Sequence, residues 1–247
     1  MRAMVLAAGL GTRLRPLTDD RPKAMVEVGG RPLITYALEL LVRFGITDVV
    51  INVHYHGDVL RRFLGDGSAH GVHIQYSPED PLLDTGGGLR HAATLLGDED
   101  FVVMNSDTII DLPLDQVIAA HRARRAAATL VLRPDPEQAR YGEIEIDGDH
   151  RIRRFLGHPP ASEPLTAYMF AGVHVMSPDV FRFMPSGGIF SLTRDTYPAI
   201  LNAGGHLSGF PFTGFWRVID TPHDRERAAH DLAGIDLTFL EKTPRPG

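Results

Sequence analysis

The chain opens on a buried-strand pattern, Arg2 to Ala8, whose positions after Arg2 are all apolar and which stops at Gly9-Leu10-Gly11. A short continuous run bounded by a turn signal predicts a buried strand. From Pro32 to Phe44, Leu33, Ala37, Leu40, Leu41 and Phe44 recur at helical spacing, and Gly45 supplies a stop. The same reading predicts strands at 48–53, 73–77, 101–104 and 127–132. Helices are expected at 58–64, from about 85 to 96, and at 114–125. Strands alternating with helices at this spacing predict βαβ units. Later the pattern changes. Segments 143–146 and 152–155 read as a hairpin around Asp147-Gly148. A strand is expected at 169–176, helices near 178–183 and 192–202, and strands at 207–212 and 216–219. Thr221-Pro-His-Asp224 has the chemistry of a helix start. The fold class expected is α/β, a Rossmann-like three-layer mixed, mainly parallel sheet. We read 1–247 as one domain with a nucleotide-binding half at 1–133 and a substrate-binding half at 134–247.

Composition narrows the function classes. No apolar stretch nears the ~20 residues that cross a bilayer. With 25 basic and 31 acidic residues the net charge is −6, which gives no general attraction to nucleic acid or anionic membranes. The absence of cysteine removes disulfides, thiolate catalysis and cysteine-based metal sites, and suits a cytoplasmic protein. Lysine stands only at Lys23 and Lys242, so a lysine close to the glycine loop draws notice.

That loop carries most of the candidate chemistry. Ala8-Gly9-Leu10-Gly11-Thr12-Arg13-Leu-Arg-Pro16-Leu-Thr18 follows the first strand and precedes Pro22-Lys23. Gly9 and Gly11 let the backbone turn tightly and bring N–H groups against a polyphosphate. Thr12 offers a hydroxyl, Arg13 a bidentate fork and Lys23 a compact cation. The string is neither a P-loop nor a dinucleotide fingerprint.

It resembles the signature of the sugar-1-phosphate nucleotidylyltransferase family, and the similarity runs from Met1 to about Ala229. The resemblance implies that a nucleoside triphosphate and a sugar 1-phosphate are joined with release of pyrophosphate, using Mg²⁺. It implies that Ala8, Gly9, Gly11 and Thr12 bind the triphosphate. Arg13 would neutralise the departing phosphates, and Lys23 would grip the α-phosphate or the sugar phosphate during attack. Gln75 and the helix-opening glycines Gly86 and Gly87 resemble the family's base-reading segments. The other reading makes those glycines part of a strand-to-helix turn. Asp-Thr-Gly-Gly-Gly at 84–88 is most similar to short uridylyltransferases acting on N-acetylmuramic acid 1-phosphate. Short mannose-1-phosphate guanylyltransferases carry similar glycines, so UTP and GTP both stay open.

Asp107 closes the strand at 101–104 at its carboxyl end, where open α/β sheets carry ligands. A carboxylate there suits Mg²⁺, which prefers oxygen ligands; an ordinary loop cap is the alternative. The family's second metal carboxylate falls at Val218, but an aspartate stands two residues on. Alternation turns Asp220 to the same side as position 218, about 7 Å further along. Asp220 is therefore the candidate second ligand, against a role as helix cap. The family's Glu-Lys-Pro is replaced by Gly157-His158-Pro159, leaving His158 or nearby arginines to meet the sugar phosphate, with the backbone of Gly142 near the sugar hydroxyls. His54 and His56 share one side of a strand end without an obvious third ligand. A monomer or small homo-oligomer is expected. Two other readings stay open: a cytidylyltransferase for a phosphorylated alcohol, and a catalytically weak regulatory subunit that senses nucleotide sugars.

Overall fold

In the computed structural model the described residues are 1–134, 144–160, 164–235 and 237. The strands are β1 (Arg2–Leu6), β2 (Glu27–Val28), β3 (Arg31–Pro32), β4 (Asp48–Val53), β5 (His73–Pro78), β6 (Phe101–Asn105), β7 (Thr108–Ile110), β8 (Ala128–Arg133), β9 (Ile144–Ile146), β10 (Ile152–Phe155), β11 (Thr166–Met176), β12 (Leu207–Pro211) and β13 (Trp216–Val218). The α-helices are α1 (Leu33–Arg43), α2 (Gly57–Leu64), α3 (Asp84–His91), α4 (Ala93–Leu96), α5 (Leu114–Arg124), α6 (Tyr197–Asn202) and α7 (Pro222–Leu232).

Nine strands form one sheet along the path β10-β9-β11-β6-β1-β4-β5, with β8 beside β11 and β12 beside β8. The first half is parallel: β1 pairs with both β4 and β6, and β4 with β5. β11 turns the order around, running antiparallel to β6, β8 and β9. Alternation along the strands builds the layers. Ala3, Val5, Val49, Ile51, Val102 and Met104 face one core with α1, α2 and α5. Met4, Val50, Phe101 and Val103 face the other, with Leu89, Leu96 and Tyr197. Each such fully buried aliphatic or aromatic side chain contributes roughly 1.5–3 kcal/mol by leaving water. Among the described residues, no helix is long and apolar enough to cross a membrane.

Several expected elements differ in detail. The helix expected from 85 to 96 is divided at Ala92 into α3 and α4. Pro178–Phe183 is a 3₁₀ turn, and Leu192–Thr196 is a wide π-turn leading into α6. β13 lies outside the main sheet and pairs with β7 in a two-stranded ribbon. The ribbon is what carries residues 216–220 across to the end of β6. The hairpin of β9 and β10 forms as expected. The candidate Gly142, with its neighbours Tyr141 and Glu143, lies outside the described residues.

Candidate active site

Three chain segments converge at the carboxyl end of β6. Asp107 follows β6 directly, and Ile219 donates its backbone N–H to the Asp107 carbonyl at 3.0 Å. That bond fixes the end of the β7/β13 ribbon, so that Asp220 arrives beside Asp107. Lys23 opens a 3₁₀ turn after Pro22. Its Nζ donates to Asp107 Oδ2 at 2.6 Å and to Asp220 Oδ1 at 2.8 Å. Arg13 donates to the same Asp220 oxygen at 2.8 Å from a mostly exposed position. Two carboxylates and two cations thus form one network in which Lys23 and Asp220 are nearly buried. Burial by itself would lower the Lys23 pKa. The facing charges of Asp107 and Asp220 and their hydrogen bonds overcome it, and the ammonium is held above its ordinary value.

Asp220 does not cap the following helix. The cap of α7 is Thr221, whose hydroxyl accepts from the Asp224 N–H, while the Asp224 carboxylate accepts from the Thr221 N–H in a closed capping box. Asp224 also accepts from the Asp220 N–H at 3.2 Å. The helix start therefore grips the Asp220 backbone and leaves its carboxylate to Lys23 and Arg13. Val218 lies on the same side and lines the same cavity as Asp220, as alternation requires.

Two cavities meet at this network. The first, about 390 Å³, is lined by Ala8, Gly9, Asn52, Leu82, Asp84, Thr85 and Ile189 together with Asn105 and Asp107. The second, about 310 Å³, is lined by Arg13, Thr108, Phe155, Phe170, Trp216, Val218 and Asp220, again with Asn105 and Asp107. Gly172 brings the backbone of β11 against this wall. Its φ of +86° suits glycine, and an added Cβ would press on the Thr108 hydroxyl at 2.8 Å. Gly11, with φ +62°, lets Thr18 donate to its carbonyl at 2.9 Å and seats the loop against Lys23. Thr12 is exposed at the start of the following 3₁₀ turn.

Some expected residues stand elsewhere. Gln75 is exposed on the edge strand β5 and is not among the residues lining the first cavity. Gly86 and Gly87 are buried, and both N–H groups donate to the carbonyl of Phe190. A Cβ on Gly86 would strike the Phe190 ring, and one on Gly87 the Gly188 carbonyl. These contacts show the glycines making room for the segment 188–190, as the turn-and-packing reading has it. His158 is exposed, and its backbone is tied to Phe155; it is not among the residues lining the second cavity. His54 and His56 bond to the carbonyls of Glu79 and Asp19.

Sequence reasoning missed a buried brace under the first cavity. Asn52 accepts from the Ala7 N–H at 2.7 Å and donates to Glu79 at 2.8 Å. The other Glu79 oxygen accepts from the Leu83 N–H at 2.9 Å. The end of β1 and the loop after β5 are thereby joined through two polar side chains. A polar Asn52 within the otherwise apolar Val49–Val53 run was the available signal.

Whether the residues suit a divalent cation can be judged from the donor set. Asp107 and Asp220 present hard oxygens to one point that Lys23 already fills with positive charge. Among the described residues no group of three histidines or carboxylates gathers around a metal position. Two carboxylates completed by phosphate oxygens and water fit the sparse protein coordination of Mg²⁺.

A sequence model of the nucleotidyl transferase family matches residues 2–233. The mannose-1-phosphate guanylyltransferase of Mycobacterium tuberculosis is 35% identical over 231 residues, covering 93% of this chain and 64% of that protein. The mannose-1-phosphate guanyltransferase of Hypocrea jecorina is 34% identical over 229 residues, covering 91% and 62%. The chain thus spans less than two thirds of the length of these relatives. A UTP–glucose-1-phosphate uridylyltransferase of Synechocystis is 32% identical over 265 residues, covering 96% and 67%. A Bacillus anthracis protein described as a glucose-1-phosphate thymidylyltransferase, solved with sucrose, superposes with a TM-score of 0.81 at 25% identity, covering 96% of both chains.

Proposed function

Since the chain belongs to the nucleotidyl transferase family, we propose that it transfers a nucleoside monophosphate from a nucleoside triphosphate to a sugar 1-phosphate, releasing pyrophosphate and forming a nucleoside-diphosphate sugar. The observation that carries this reading is the meeting of two separate cavities at Asp107, over the Lys23–Asp220 network. Two substrates can each occupy a cavity and present their phosphates to one another at that point. UTP or GTP as donor is supported by the names of the Synechocystis and Mycobacterium relatives.

In this reading a phosphate oxygen of the sugar 1-phosphate attacks the α-phosphorus, and pyrophosphate leaves from the opposite side. No covalent enzyme intermediate is required, because the nucleophile is already an anion. The N–H groups of the Ala8–Thr12 loop hold the triphosphate. Lys23 turns its ammonium from the carboxylates to a phosphate, and Arg13 neutralises charge that builds on the leaving group. Asp107 and Asp220 would hold Mg²⁺, the divalent ion proposed here, which when bound withdraws charge from the phosphates and orients them. The pairing of Asp220 with Lys23 and Arg13 supports an enzyme over a weak regulatory subunit, a reading prompted by Val218. The test is pyrophosphate release with a panel of triphosphates and sugar 1-phosphates in Mg²⁺. Release that needs both substrates is expected; none with any pair would refute the proposal.

A further inference from the structure

Ile189 is the most exposed large apolar side chain among the described residues, at 66%. An exposed isoleucine is ordinary on a protein surface. This one lines the first cavity, in company with Leu82.

The backbone holds it there. The next residue, Phe190, donates its N–H to the Leu83 carbonyl at 3.2 Å, and its own carbonyl accepts from Gly86 and Gly87 at 2.9 and 3.0 Å. Ile189 is thereby tied to the opening of α3, the stretch that brings Leu82, Asp84 and Thr85 into the same cavity wall. On its other side stand Gly187 and Gly188, with open space where either side chain would be, and Gly188 has a φ of +102°. A residue with a side chain would be strained at that φ, so glycine there suits the course of the segment. The fold thus fixes the position of Ile189 and leaves its side chain uncovered at the cavity. Such a side chain gains its burial only when a ligand arrives.

The lining also divides by chemistry. Gly9 and Asp107 serve phosphates, through backbone N–H groups of the glycine loop and through the Lys23 network. Phosphates have no use for Leu82 or Ile189, whereas the faces of a nucleobase are flat and apolar. We propose that Ile189 is a substrate-binding residue whose side chain packs against one face of the nucleobase of the triphosphate. The inference rests on the reading that the first cavity takes the triphosphate. Every base has such a face, so the contact adds affinity for uracil and guanine alike without choosing between them.

The test measures binding by titration calorimetry, using the full chain, Mg²⁺, and UTP, GTP or inorganic tripolyphosphate, with no sugar phosphate. Ile189→Ala should weaken the nucleotide that binds the parent by about tenfold, because apolar contact is lost. Tripolyphosphate, which has no base, should bind both proteins equally. Ile189→Met keeps an apolar side chain and should stay within about twofold of the parent. The residue is exposed, so the melting temperature of Ile189→Ala should stay within about 1–2 °C. In methyl-labelled protein the Ile189 δ1 signal, assigned by its loss in Ile189→Ala, should shift with nucleotide through the ring current of the base and stay in place with tripolyphosphate. Unchanged nucleotide affinity in Ile189→Ala, or an equal loss for tripolyphosphate, would overturn the proposal. Failure of both nucleotides to bind the parent would overturn the triphosphate-cavity reading and this inference with it. Normal binding without pyrophosphate release would count against the reaction alone.

Discussion

Lys23 and Asp220, 197 residues apart in the chain, meet at 2.8 Å, and Asp107 takes a second proton of the same ammonium. Lys23→Ala should therefore have two separable effects. Turnover should fall by about 10²–10³-fold, the scale seen when one preorganised electrostatic group is lost. The two carboxylates would also repel each other without a counter-charge. Mg²⁺ should then raise the melting temperature of Lys23→Ala more than that of the parent, as a scanning-calorimetry titration would read. An equal Mg²⁺ response in both proteins would argue that the carboxylates do not share a cation.

The glycines divide by what surrounds them. Gly87→Val drives a side chain into the Gly188 carbonyl, so the segment carrying Phe190 must move. Stability should fall by about 1–3 kcal/mol as overpacking does, or roughly 2–4 °C per kcal/mol for a chain of this size. Gly9 has open space around its missing side chain and lines the first cavity. Gly9→Ala should leave the melting temperature within about 1–2 °C and raise the triphosphate KM. Thermal melts and nucleotide kinetics on both variants check the contrast.

That contrast also marks how far the sequence could be read. The buried strands at 2–8 and 101–104, the Thr221 cap and the candidates Lys23, Arg13, Asp107 and Asp220 were legible, because short apolar runs and cap chemistry are local and the motif has a fixed order. The fate of Gly86 and Gly87 was not. What presses on them is the segment of Gly188 and Phe190, about a hundred residues away, which only tertiary packing supplies. The position of Gln75 outside the first cavity's lining was not legible for a related reason: on an edge strand, side-chain alternation does not say which face a cavity takes. His158 follows the Leu156–Gly157 turn, both residues at positive φ, and lies outside the second cavity's lining, a placement that a local pattern does not give.

The Asn52 brace should be worth more than its single side chain suggests. Asn52→Ala removes the partner of the Ala7 N–H and of one Glu79 oxygen in a buried setting. Each orphaned group costs about 1–3 kcal/mol. Chemical denaturation should register a loss of at least about 2 kcal/mol, with a raised triphosphate KM because Asn52 lines the first cavity. A loss under about 0.5 kcal/mol would show that the brace contributes little beyond an ordinary surface change.

Burial pushes the His174 imidazole from 6.5 down to about 3. The unfolded chain accepts this proton as pH falls through 6.5, while the folded chain refuses it until about 3. Stability from this group is therefore complete above about 6.5 and is lost progressively as pH falls towards 3. The slope is about 1.4 kcal/mol per pH unit inside that window. Between pH 6 and 4, stability of His174→Gln should fall less steeply with acid than that of the parent, by about that amount per unit. Denaturant midpoints across the window measure it, and parallel slopes would place the titrating proton elsewhere.

The central claim is that one network of Lys23, Arg13, Asp107 and Asp220 serves transfer to a sugar phosphate. Its most direct measurement follows the label of [α-³²P]UTP or GTP in Mg²⁺ with a sugar 1-phosphate, comparing the parent with Asp220→Asn. Asparagine keeps the shape and Thr221 still caps α7, so the variant should stay folded at the assay temperature, with a lower melting temperature because nearly buried Lys23 loses one of its two carboxylates. Label is expected in a nucleoside-diphosphate sugar with the parent, and about 10²–10³-fold more slowly with Asp220→Asn. Equal rates in the two proteins, or label released only as free nucleoside monophosphate, would contradict the assignment.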